Sequence, residues 1–161
     1  MKSATLGQPV DTQVQVVRTF DAPVDQVWRV FTDPQMVSRW MMGPPGWSMP
    51  VCKFDFRVGG YYENRFRNDQ DGTEMGLAGT FREIEPLTKI VQDETYGLVP
   101  DEDIASHTAV VTMTFQQASQ KTEVTTSIEY PTKEACDEAL ATGMTAAMEL
   151  AHRCIDGLLV E

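Results

Sequence analysis

The stretch from Thr132 to Val160 has the period of one long helix, and that helix limits what the rest of the chain can be. With Leu140 at zero on a wheel of about 100° per residue, Met144, Ala147, Met148, Ala151, Cys154, Ile155 and Leu158 fall within an arc of about 120°. Glu138, Glu149, Arg153 and Asp156 point the other way. Pro131 and Thr132 suit its start, and Glu134, Asp137 and Glu138 lie near the positive end of its dipole. At about 1.5 Å per residue the helix is expected to reach roughly 40 Å, enough to cross a sheet. A helix with one apolar face needs a partner surface, which the preceding residues must supply.

Those residues read mainly as strands. Residues 1–11 are polar, with Gly7 and Pro9, and are expected to form a loose, flexible arm. Thr12–Phe20 (TQVQVVRTF) is rich in β-branched residues, and Val14 and Val16 alternate with polar neighbours as in a first strand. Asp21-Ala22-Pro23 ends it. Val24–Thr32 is a short helix with Val27, Trp28 and Phe31 on one face, and after Asp33-Pro34 a second short helix is expected over Gln35–Trp40. Met41–Pro50 (MMGPPGWSMP) reads as a loop, although three Met and a Trp are unusual on a segment that normally faces water. Strands are expected at Val51–Val58, Tyr61–Asn68, Leu77–Pro86, Lys89–Tyr96, Ala109–Phe115 and Glu123–Glu129. Gly59-Gly60 marks a reversal, and Gly97–Ser106 an acidic connection. Consecutive strands joined by tight turns imply an antiparallel meander, so residues 12–161 are expected to form a single α+β domain.

Charge and cysteine usage narrow the function classes. The formal net charge of −11 opposes nucleic acid and anionic lipid surfaces, so neither a nucleic acid partner nor membrane insertion is expected. The opening MKSATLGQPV has no apolar run, and no segment approaches the roughly 20 apolar residues of a spanning helix. Cys52, Cys136 and Cys154 are odd in number and widely spaced, which fits free thiols and a cytoplasmic location. With only His107 and His152 beside them, neither metal nor cofactor is expected. Hydrolase, nucleotide and dinucleotide motifs are absent.

The sequence also resembles a known superfamily. Phe20-Asp21-Ala22-Pro23, Val27-Trp28, Phe31-Thr32-Asp33-Pro34 and Trp40 stand where START-like (SRPBCC) proteins have their opening motifs. Gly43-Pro44, Asp55-Phe56-Arg57-Val58-Gly59-Gly60, Gly79, Glu83-Ile84-Glu85-Pro86, Lys89-Ile90-Val91 and Gly143-Met144 extend the likeness. They are similar to single-domain proteins related to the C-terminal domain of the heat-shock chaperone ATPase activator (Aha-type). The likeness runs from Thr12 to Leu159. It implies a helix-grip (START-like, Bet v-like) fold: a curved seven-stranded antiparallel sheet around a long C-terminal helix, with two short helices after the first strand and a cavity between sheet and helix. This fold serves lipid carriers, polyketide cyclases, hormone receptors and chaperone partners alike. The activator has a further N-terminal domain that contributes much of its chaperone binding, where this sequence has about eleven residues.

The expected function is therefore binding of a small hydrophobic or aromatic molecule between sheet and helix. The candidate lining is Trp28, Trp40, Met41, Met42 and Trp47 near the mouth, Phe56, Tyr96 and Met113 on strands, and Met144 and Met148 on the helix. Met adapts to irregular ligands and Trp offers a flat face with one donor. Two alternatives stand beside it: a cyclase- or hydratase-type enzyme using one inward acid, and a chaperone-interaction module. Among Arg57, Glu63, Arg65, Glu83, Glu85 and Glu94, most are expected to face water, with Arg57–Asp55 and Arg65–Glu63 as surface pairs. Glu94 and Tyr96 share a face by alternation and make a Tyr–carboxylate pair at the cavity wall. Catalytic residues, ligand identity and oligomeric state are not legible.

Overall fold

The structure, a computed structural model, describes residues 5–41, 46–99, 108–141 and 144–160. Its strands are β1 (Thr5–Gly7), β2 (Gln13–Phe20), β3 (Trp47–Phe54), β4 (Tyr61–Asn68), β5 (Glu74–Glu85), β6 (Lys89–Val99), β7 (Thr108–Ala118) and β8 (Lys121–Glu129). They form one antiparallel sheet in the order β1-β2-β8-β7-β6-β5-β4-β3. Helices α1 (Val24–Thr32) and α2 (Pro34–Trp40) follow β2, and α3 (Lys133–Ala141) and α4 (Met144–Leu159) close the chain. This is the expected helix-grip-like α+β architecture, with one strand more than the seven expected. The extra strand, β1, lies in the stretch expected to be a loose arm and pairs Thr5, Leu6 and Gly7 with Val17, Val16 and Gln15 at the sheet's edge.

Several strand boundaries differ from expectation: β5 begins at Glu74 rather than Leu77, β6 runs on to Val99 rather than Tyr96 and β7 to Ala118 rather than Phe115, and at β3 both ends move for local reasons. Strand β3 begins at Trp47 rather than Val51, because Trp47 and Ser48 pair with Asn68 and Arg67. The register then shifts between Ser48 and Val51, a bulge that absorbs Pro50 on an edge strand where a missing N–H is tolerated. At its other end β3 stops at Phe54. Residues 55–60 form the reversal, with Gly60 N donating to the Arg57 carbonyl at 2.8 Å and Arg57 Nε to Asp55 at 2.8 Å. A Cβ on Gly60 would sit 2.0 Å from the Asp55 carbonyl oxygen, so the motif is a fold determinant. The short helices meet expectation. Asp33 caps α2 by accepting from Gln35 N at 3.0 Å, and Trp40 Nε1 donates to the Val30 carbonyl at 2.9 Å.

The C-terminal helix departs most. It is described as α3 and α4, with residues 142 and 143 outside the described set. Of the expected stripe, Ala147 and Cys154 are exposed, whereas His152 is buried. The buried side is centred nearer Met148, Ile155 and Leu159, a rotation of about 60° from the expected arc. Asp156, expected to point to solvent, instead reaches Arg18 on β2. The cause lies in the partner surface: the inner face of β2 presents Val14, Val16, Arg18 and Phe20, so α4 turns His152 and Asp156 towards the last two.

The apolar interior has two parts. The first gathers Phe20, Val27, Val30, Val37, Trp40, Tyr62, Phe81, Ile90, Phe115, Val124 and Ile155 beneath α1, α2 and the end of α4. The second gathers Val14, Val16, Ala109, Val111, Ile128, Tyr130, Cys136 and Ala139 beneath α3. Met113 touches both.

Candidate functional site

The structure distributes the sequence-derived candidates between these two parts. Trp28, Trp40, Met41 and Phe56 join the first. Trp28 meets Phe115 and Phe56 edge-on, with ring centroids 5.0 and 5.9 Å apart, and Trp40 meets Phe31 at 5.3 Å. Trp40 is buried, held by its bond to Val30, and acts as packing. Tyr96, Met144 and Met148 join the second part, and Met113 bridges the two. Trp47 is half-buried on edge strand β3, in neither part. Met42 lies outside the described residues, as do His107, Gly43, Pro44, Gly143 and the acids at 101–103.

Between the two apolar parts the inner face becomes polar. On β6 the inward positions run Ile90, Gln92, Glu94, Tyr96, placing an amide and a carboxyl between an aliphatic and an aromatic residue. Glu94 pairs with Ala109 of β7, and on the β5 side its neighbour is Gly79, one residue beyond the Ala78–Thr95 pair. Small residues thus flank it on both neighbouring strands. Gly79 is obligatory, since a Cβ there would lie 1.9 Å from the Asp93 carbonyl oxygen and 3.1 Å from Tyr62 Oη. The Tyr62 hydroxyl donates to that same Asp93 carbonyl at 2.8 Å.

Burial pushes the Glu94 carboxyl up to about 7 from its ordinary 4.5. Burial, with the Glu94 negative charge adding to it, holds the phenols of Tyr62, Tyr96 and Tyr130 above their usual range. The Tyr96 and Tyr130 rings stand perpendicular, 6.3 Å apart, and the Tyr130 hydroxyl donates to Met144 Sδ at 3.4 Å. Tyr96 thus feels the Glu94 charge, as do Tyr62 and Tyr130. One step along the sheet, Asn64 pairs with Leu77, which pairs with Tyr96. Asn64 is 2 % exposed; its Nδ2 donates to Met41 Sδ at 3.4 Å, and its Oδ1 accepts no hydrogen bond. The remaining strand charges behave as expected. Arg57 pairs with Asp55 at 2.8 Å, Arg65 with Glu63 at 2.7 Å and Lys89 with Glu83 at 3.6 Å, and Glu85 is exposed.

A second polar group joins β2 to α4. Arg18 is 2 % exposed and forms a two-pronged pair with Asp156, Nη1–Oδ1 at 3.0 Å and Nη2–Oδ2 at 2.6 Å. Its guanidinium lies 4.8 Å from the Phe20 ring centre, and His152 meets the same ring edge-on at 5.6 Å. Burial, then the Arg18 charge, lowers His152 to about 4. A cleft of about 290 Å³ lies nearer the start of α4, lined by Leu6, Val16, Thr145, Ala146, Met148 and Glu149.

Sequence reasoning missed Arg18, Asn64, Tyr62 and Tyr130. Period-2 alternation carried the signal for the first three: Arg18 is in phase with Val14, Val16 and Phe20, and Asn64 with Tyr62. Among the described residues no group of three or more His, Cys, Asp or Glu could hold a metal ion, and no helix is long and apolar enough to cross a membrane. All three cysteines are free thiols.

The family model described as Activator of Hsp90 ATPase homolog 1-like protein matches residues 21–159, and the chain belongs to that family. No curated protein matches it in sequence. Solved structures share its fold. A Rhodobacter sphaeroides protein is 27% identical, with 98% of this chain and 97% of that one covered and a TM-score of 0.86. A Mycobacterium smegmatis protein is 23% identical, with 98% and 97% covered and a TM-score of 0.83. An Arthrobacter aurescens protein is 23% identical, with 97% and 91% covered and a TM-score of 0.79.

Proposed function

We propose that the protein binds a small hydrophobic or aromatic molecule between the inner face of the sheet and the C-terminal helices. The observation that carries the reading is the partial burial of large apolar side chains on that face near Glu94. Tyr96, Met113, Met144 and Met148 point into the interior yet stay only partly buried, and so do Phe54 and Phe56 in the neighbouring part. A well-packed interior would bury side chains of this size, so partial access on an inward face favours a ligand. The adaptable thioethers and flat rings suit an apolar body, and the polar strip at Gln92, Glu94 and Asn64 suits one polar end. Titrating the protein with fatty acids and aromatic probes while following fluorescence from half-buried Trp28 tests this. A saturable change supports it; no change from any probe, with a crystal structure showing this space packed by side chains, refutes it.

A second reading uses the same carboxyl as a general acid or base in a cyclase- or hydratase-type reaction. Its support is that Glu94, raised to about 7, can exchange a proton near neutral pH. A chaperone partner rests on the family description alone.

A further inference from the structure

The polar groups around Glu94 are unevenly matched. The titratable side chains that share its surroundings are Tyr62 on β4, Asp93 and Tyr96 on β6, Tyr130 after β8, and Cys136 and Glu138 on α3. All are acids. Among the described residues no basic side chain bears on Glu94, whose shift arises from burial with no ion pair offsetting it. The basic groups of the interior are elsewhere: Arg18 is engaged with Asp156, and His152 lies against Phe20.

Two of the hydroxyl donors nearby are already committed. The Tyr62 hydroxyl donates to the Asp93 carbonyl and the Tyr130 hydroxyl to Met144 Sδ. One acceptor is not, for Asn64 Oδ1 is buried on the same inner face without a donor. A buried acceptor without a partner costs about 1–3 kcal/mol, and a buried carboxylate without a cation costs more. The ligand best matched to such a surface brings donors and a positive charge. Tyr96 and Tyr130 add their rings beside the carboxyl, and ring faces attract cations.

We propose that the bound molecule is a hydrophobic or aromatic amine, its ammonium group paired with Glu94 beside the Tyr96 and Tyr130 rings and its apolar body lying among Met113, Met144 and Met148. The inference rests on the inner face being a ligand site, and the experiment separates the two. Isothermal titration with 4-phenylbutylamine, 4-phenylbutanol and 4-phenylbutyrate compares one apolar body bearing three different ends. At pH 8 the amine is expected to bind at least about tenfold more tightly than the alcohol, and the acid most weakly. Only the carboxylate form of Glu94 pairs with the ammonium, so lowering the pH to 5.5 is expected to weaken the amine about thirtyfold and leave the alcohol unchanged. In Glu94→Gln the amine should lose its advantage while the alcohol still binds, which also shows that the variant is folded.

Equal binding of amine and alcohol to the unaltered protein, or an amine preference that survives Glu94→Gln, overturns the amine assignment while leaving the ligand site standing. Failure of all three probes overturns both.

Discussion

Replacing Glu94 with Gln should change how the protein's stability responds to pH, and the structure sets the size of the change. The carboxyl titrates near 4.5 in an unfolded chain and about 7 in the fold. Below pH 4.5 the group is protonated in both states. As pH rises towards 7 the unfolded chain releases the proton and the folded chain retains it, so stability falls across that window and levels off above it. A shift of about 2.5 units at about 1.4 kcal/mol per unit amounts to about 3.4 kcal/mol, and partial hydration of the side chain reduces it to about 2–3 kcal/mol. His152 acts in the opposite sense. Lowered from 6.5 to about 4, it stays neutral in the fold, so its contribution is complete above pH 6.5 and is lost as pH falls towards 4. The two slopes oppose each other between about pH 4.5 and 6.5. Urea unfolding of the unaltered protein and Glu94→Gln at pH 5, 6, 7 and 8 isolates the carboxyl. Relative to the unaltered chain, the Gln variant should gain about 1.5–2 kcal/mol between pH 5 and 8, the part of the total that develops in that interval, and its own profile should expose the His152 slope. A difference between the two proteins that stays constant across this range would falsify the placement of Glu94 in the interior.

Two further outcomes follow from the packing. Asp156→Ala strands the Arg18 guanidinium, 2 % exposed, with only the Thr19 carbonyl and the Phe20 ring, and should cost about 2–4 kcal/mol. Arg18→Met retains the volume and leaves Asp156, whose side chain is 40% exposed, free to hydrate, so about 1 kcal/mol or less is expected. Equal losses in urea unfolding would contradict this asymmetry. Gly79→Ala forces a methyl group to within 1.9 Å of the Asp93 carbonyl oxygen and should cost about 3 kcal/mol by parting β5 from β6. The control is Gly157→Ala on α4, where the added Cβ meets nothing within 4 Å and a gain of up to about 1 kcal/mol is expected. A thermal melt in which Gly79→Ala matches the control would refute the close approach.

Much of the architecture was legible because local rules and burial agree. The alternation in β2, the start of α2 at Asp33-Pro34, and the glycine turn at 59–60 each follow from short-range chemistry, and the structure retains all three. The boundary at Trp47 was not legible, since Pro50 signals a break and only the partner strand reveals a bulge that accommodates it. The orientation of the last helix was misread for a related reason. Hydropathy alone assigns Cys154 inside and His152 outside, but helix phase is set by what the opposite surface offers, and here it offers Arg18 and Phe20.

The candidate site divides along the same line. By itself the sequence determined the family's sheet-and-helix plan and the presence of Met, Trp and Tyr side chains able to line its interior. It also placed Glu94 and Tyr96 on one face, because a strand's period is fixed at two. The tertiary structure decided which residues share a neighbourhood. It sent Trp40 into packing, left Trp47 on an edge strand, and brought Tyr62 and Tyr130, both distant in sequence, to the carboxyl that Tyr96 adjoins. The physical reason is that desolvation depends on everything surrounding a group. The same Glu on a wet strand face titrates near 4.5, and its rise to about 7 is created by the strands and helices that enclose it.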